Sequence, residues 1–176
     1  MRKVALIGTS HKYQCPGGGA NDLSLAQFDG FLSQTCLKVG AKAVAEEMSK
    51  AALEERGTRA SIAQRVCVRL RLLHQLSDPP PDVRRQLSIE GVNDLKFKGF
   101  MNDWPQERVE AEVRQSHDKR EFYWISQLLT LNAWPVVFVC GADHSEPFVA
   151  KLLAHGMHVE IVCGDWEPKL MPKSTV

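Results

Sequence analysis

At 176 residues, with 44% hydrophobic and 24% charged positions, the chain has the make-up of one ordinary globular domain. A chain of this size buries roughly 70% of its unfolded surface, enough for a core without disulfide or metal staples. The net charge of +1 supplies no long-range field, which argues against nucleic acid or an anionic membrane as partner.

The apolar run Val4 to Ile7 ends in a glycine turn and is too short for a signal-peptide core, so a cytoplasmic protein is expected. Charge interrupts every other apolar run, and no membrane span is expected. Cys15, Cys36, Cys67, Cys140 and Cys163 are widely spaced and odd in number, which argues against a disulfide framework or a zinc knuckle. Cys140 and Cys163 read as core positions at strand ends, and Cys15 as a loop residue beside reactive groups.

In chain order, the first buried strand is Val4 to Ile7, followed by a helical pattern from Leu23 to Leu37 that opens after Asn21-Asp22 and closes before Gly40. Ala43 to Ala45 reads as a second strand mainly from its position, since Lys-Ala-Val-Ala-Glu-Glu-Met suits a helix equally well. Ser61 caps a helix to about Val68, and Leu70 to Leu76 reads as the third strand. The three consecutive prolines from Pro79 break the chain, Asp82 to Leu87 reads as a helical turn, and Gly91 to Asn102 as a polar, irregular, lid-like stretch.

The longest helical pattern runs from Pro105 to Leu131, with Val109, Val113, Phe122, Ile125, Leu128 and Leu129 as an interrupted apolar stripe. Val136 to Cys140 is the fourth strand, Glu146 to His155 a helix stopped by Gly156, and Val159 to Cys163 the fifth strand. Alternating strands and helices imply a single α/β domain over residues 1–166, a mostly parallel sheet of about five strands with helices on both faces. Residues 167–176, with Pro168 and Pro172, read as a loosely held C-terminal tail.

Ligands of open parallel sheets bind beyond the carboxyl ends of the strands. There the sequence places His11, the pair Glu46 and Glu47, Asp78, Asp143 with His144, and Asp165. Two histidines and adjacent carboxylates suit a divalent zinc, manganese or iron ion, with His11, Glu46 and His144 as ligands. The same groups also suit general acid–base chemistry without a metal. Neighbouring strand residues point to opposite faces, so only one of Glu46 and Glu47 enters the site, and Glu46 is slightly favoured.

Arg120 and Glu121 beside Phe122-Tyr123-Trp124 form a candidate clamp for an anionic or ring-bearing ligand, with Tyr123 as its aromatic contact. The loop of Tyr13, Gln14 and Cys15 before three glycines is placed to close over a ligand. His74 reads as a satisfied core or edge histidine, and His117, His155 and His158 as solvent-facing.

Gly8-Thr9-Ser10-His11 after the first strand, a glutamate after the second, and Gly141-Ala142-Asp143-His144 ahead of Leu-x-x-x-Gly-Met-x-Val resemble the TraB/Tiki/erythromycin-esterase superfamily. The resemblance implies an α/β domain with a hydrolytic or metal-supported site, and His11, Glu46 or Glu47, and His144 are the positions that match its motifs.

The sequence thus points to a small hydrolase, metal-assisted or His/Glu-based, acting on a polar or anionic small molecule. The alternatives are a non-catalytic sensor of a nucleotide-like or other polar metabolite, or an interaction domain presenting Trp124, Trp134 and Trp166. A homo-oligomer stays open in each.

Overall fold

The computed structural model describes residues 1–169. Its one sheet is built from β1 (Lys3–Thr9), β2 (Ala43–Glu46), β3 (Leu73–Leu76), β4 (Val136–Gly141) and β5 (His158–Trp166), all parallel, in the order β3-β2-β4-β1-β5.

Helix α1 (Asp22–Val39) is capped by the Asn21 carboxamide, which accepts from the Ser24 N–H at 2.8 Å, and ends at Gly40 with φ of 61°. Helix α3 (Ile62–Leu70) opens with a capping box between Ser61 and Gln64. Both pack on one face, where Phe28, Leu32, Ile62 and Val66 meet Ala5, Ile7, Val44, Val137 and Val139. On the other face α6 (Gln106–Leu131) and α7 (Ser145–Ala154) set Trp124, Ile125, Leu128, Phe148 and Leu152 against Leu6, Ala43, Ala45 and Phe138. The sheet is therefore covered on both sides, as expected for strands with no polar face.

The connections create a switch point. From β1 the chain crosses by α1 towards β2, whereas from its neighbour β4 it crosses by α7 in the other direction to β5. The loops after β1 and β4 part to opposite faces and leave a crevice between them.

Four sequence expectations change. The third strand is Leu73–Leu76 alone, because Leu70 closes α3 and Arg71 at φ 57° turns the chain. A short helix α2 (Lys50–Glu55), capped by Ser49, follows the second strand. The stretch read as irregular is helix α5 (Val92–Met101), preceded by α4 (Pro81–Gln86). Its pattern is hidden because Phe97 and Phe100 are exposed while the buried face holds Leu95 and Gly99. A Cβ at Gly99 would lie 2.5 Å from the Val109 side chain, so glycine lets α5 lie close on α6. Finally, Trp124 and Trp166 are buried, at 0% and 8% exposure, and present no contact surface.

Tail residues 167–169 have no regular structure, though Gln27 bonds the Lys169 backbone in both directions, and the rest of the expected tail lies outside the described residues. Among the described residues, no helix is long and apolar enough to cross a membrane.

Candidate functional site

A cleft of about 810 Å³ opens above the β1–β4 switch point, between the strand-end loops and a wall made by α5 and the first half of α6. Its floor is Glu47, buried at 3% exposure. Strand parity explains the placement: Ala43 and Ala45 face α6 and α7, Val44 faces α1 and α3, so Glu47 falls on the first face and Glu46 on the second.

Both Glu47 oxygens are held. Oε1 accepts from Arg120 Nη2 at 2.6 Å, and Oε2 from the Gly141 N–H at 2.7 Å. Gly141 is needed there, since a Cβ would stand 3.0 Å from His11 Nε2 and 3.3 Å from Glu47 Oε2. Arg120 also donates through Nε and Nη2 to Asp78 Oδ1 at 3.0 and 2.7 Å, and Trp124 Nε1 and Arg84 donate to the same carboxylate. Burial works against the Arg120 charge, but Glu47 and Asp78 outweigh it and push its pKa up.

Two imidazoles face this carboxylate. His11 sits in a single 3-10 turn after β1 with a half-exposed ring, and its Nε2 is 3.7 Å from Glu47 Oε1. His144 ends the matching turn after β4, is buried, and places Nε2 3.6 Å from the same oxygen. Both separations exceed hydrogen-bond reach, so each Nε2 is left for a third party. The other nitrogen of His144 is committed: Nδ1 lies 2.6 Å from Glu121 Oε1. Glu121, fully buried, is held through Oε2 by Lys151 at 2.6 Å, and Lys151 reaches Asp118 at 2.7 Å. A carboxylate on Nδ1 fixes the ring and makes Nδ1 the protonated nitrogen, leaving Nε2 as the basic atom in the cleft.

His117, read from the sequence as solvent-facing, lines the cleft with its ring 4.4 Å from that of His144. Burial, then His144 and Arg120, hold its pKa below 6.5, so it is neutral at pH 7. Helical spacing was the signal for it, because His117 lies one turn before Arg120 on α6.

Of the other expected site residues, Asp143 and Arg120 line the cleft, although the Arg120 bonds go to Glu47 and Asp78 and hold the floor rather than a ligand. Glu121 and Asp78 lie behind the cleft as supports for His144 and Arg120. Tyr13 is buried edge-on against Trp166, and Gln14 is buried with its backbone oxygen accepting from Ile62, so neither lines the cleft. Tyr123 is half-buried outside the cleft, its phenol pKa raised by burial and then by Asp82 and Asp78. Cys15 is buried under Arg56, which donates to its Sγ at 3.1 Å.

Glu46 leaves the expected metal set. Its Oε1 accepts from Ser61 Oγ, and His74 Nε2 lies 2.7 Å away, all on the α3 face, which gives His74 the satisfied role expected of it. Without Glu46, and with Arg120 on Glu47 Oε1, His11 and His144 fall short of a three-ligand set. Among the described residues no group of three or more His, Cys, Asp or Glu side chains is arranged to hold a metal ion.

Comparisons with protein-family models, with curated proteins and with solved structures each gave no match to this chain.

Proposed function

We propose that the cleft is the active site of a small hydrolase that acts on a polar small molecule by proton transfer through its two strand-end histidines. The observation that carries this reading is the Lys151–Glu121–His144 chain, its Glu121 and His144 buried, which commits Nδ1 and leaves Nε2 basic beside Glu47. In the reaction, His144 Nε2 takes a proton from water as the water oxygen bonds to the electrophilic carbon of the substrate. Protonated His11 Nε2 then gives its proton to the leaving group as the bond to that group breaks, and both rings return by exchange with solvent. Glu47, anionic between them, stabilises whichever ring carries charge. The resemblance of the Gly8-to-His11 and Gly141-to-His144 motifs to the TraB/Tiki/erythromycin-esterase superfamily supports hydrolysis, and the five unpaired cysteines support a reducing compartment such as the cytoplasm.

The divalent cation expected from the sequence is the second reading, and its support is limited to the two imidazole nitrogens 3.6 and 3.7 Å from one carboxylate oxygen, short of a three-ligand set. His11 and His144 would hold it, and it would supply Lewis-acid activation of water.

The test is a panel of small esters, amides and phosphate esters assayed with wild type, His11→Ala and His144→Ala, alongside elemental analysis of untagged protein. Turnover lost by about 100-fold or more in both folded variants is the expected result. Wild-type rates in both would overturn the reading, and stoichiometric metal that vanishes in the double variant would select the second one.

A further inference from the structure

The face that α6 turns to the cleft is longer than the chemistry at its floor requires. Gln106, Val109, Val113, His117 and Arg120 all line the cleft at three- and four-residue spacing, a run of roughly 21 Å along the helix axis. Only its inner end meets Glu47 and His144.

The outer part has its own character. Val92 of α5 joins Val109 and Val113 as an apolar lining, with Lys96 and Arg114 beside them. Lys96 makes no ion pair among the described residues. Among the described residues Arg114 pairs only with Glu110, which lines the same wall, at 3.8 Å with both side chains more than half exposed, so the wall keeps a net positive balance through Lys96. The strand-end side carries Asp143, Asp165 and Glu167, none of them ion-paired among the described residues, against Lys12, so its balance is of the opposite sign. An anion in the cleft is thus repelled from that rim and drawn to the helical wall. Arg114 lies six residues before Arg120, a rise of roughly 9 Å along the helix axis, comparable to an extended chain of about eight carbons.

We propose that the outer cleft is a binding subsite for an apolar chain that ends in an anionic group: Val92, Val109 and Val113 take the chain, and Lys96 and Arg114 take the anion. The assignment of the opposite, polar end of such a ligand as the reacting end rests on the hydrolase reading above. The binding itself does not.

The test titrates the full chain with octanoate, octylammonium and acetate in a calorimeter. Octanoate binds, and the other two bind at least about tenfold more weakly, acetate for want of apolar contact and octylammonium for its sign. Val113→Asp, at a half-exposed position, weakens octanoate by about tenfold or more. Val92→Asp, in the first turn of α5 where a carboxylate suits the helix, does the same and serves if the first variant misfolds. The Lys96→Glu, Arg114→Glu double variant reverses the preference to octylammonium. Absence of octanoate binding, equal binding of the two charged ligands, or octanoate binding untouched by the valine variants would each overturn the subsite. Octanoate binding without turnover of any substrate in the panel would leave the subsite standing and remove the hydrolase reading. Turnover without octanoate binding would do the reverse.

Discussion

Glu46 and Glu47 are neighbours in the chain and both are buried, at 0% and 3% exposure, yet they belong to different parts of the molecule. On the α1–α3 face, Glu46 ties the end of β2 to the cap of α3 and to His74 on β3. On the α6–α7 face, Glu47 meets Arg120, the Gly141 amide and two imidazoles that it does not hydrogen-bond. The first carboxylate meets its partners through Oε1 and has Oε2 buried in the fold without one, whereas the second, held through both oxygens, lines a cleft. Similar burial thus serves structure on one face and exposes chemistry on the other, and strand parity alone decides which residue does which.

The sharpest way to break this contrast is to remove the cation of the cleft face. Arg120→Met leaves Glu47 and Asp78 buried without their shared guanidinium, and is expected to cost about 3–5 kcal/mol in urea unfolding. Glu46→Gln keeps an acceptor for Ser61 and is expected to cost only about 1–2 kcal/mol. A costlier Glu46→Gln than Arg120→Met would undo the distinction. For activity the cleft face again carries the larger effect: Glu47→Gln lowers turnover by about 100-fold while Glu46→Gln stays near wild type in the same assay.

A smaller effect separates the two faces by pH. In the folded protein the pKa of His117 lies below its unfolded value of 6.5, so the unfolded chain takes up the proton first as pH falls. Stability present above pH 6.5 is lost as pH drops below it, and the melting temperature of wild type is expected to fall more between pH 7 and pH 5 than that of His117→Asn. Smallest of all is thiol labelling. Burial raises the Cys36 and Cys67 thiols to about 11 and about 12, and Cys15 and Cys140 are fully buried, so iodoacetamide at pH 7.5 is expected to reach the partly buried Cys163 first, as peptide mapping would report.

The sequence carried the sheet well because buried parallel strands are short apolar runs bounded by glycines, as at Val4 to Ile7 and Val136 to Cys140. It carried His11, Glu47 and His144 as strand-end groups for the same reason. The choice between Glu46 and Glu47 was illegible, since Ala43, Val44 and Ala45 are all apolar and no alternation marks the faces. Helix α5 was hidden by Gly99 and by its exposed phenylalanines. Glu121 reads in the sequence as half of a ligand clamp with Arg120, but adjacent residues on a helix point about 100° apart, and the two serve different partners.

The most direct test is the protonation of His144, read from long-range proton–nitrogen correlation spectra of the ¹⁵N-labelled protein at pH 8. The Glu121 contact predicts a proton on Nδ1 and a bare Nε2 in the cleft, with the pattern lost in Glu121→Gln. A proton on Nε2 with Nδ1 bare would mean that the atom assigned as base is a donor, and would contradict the account.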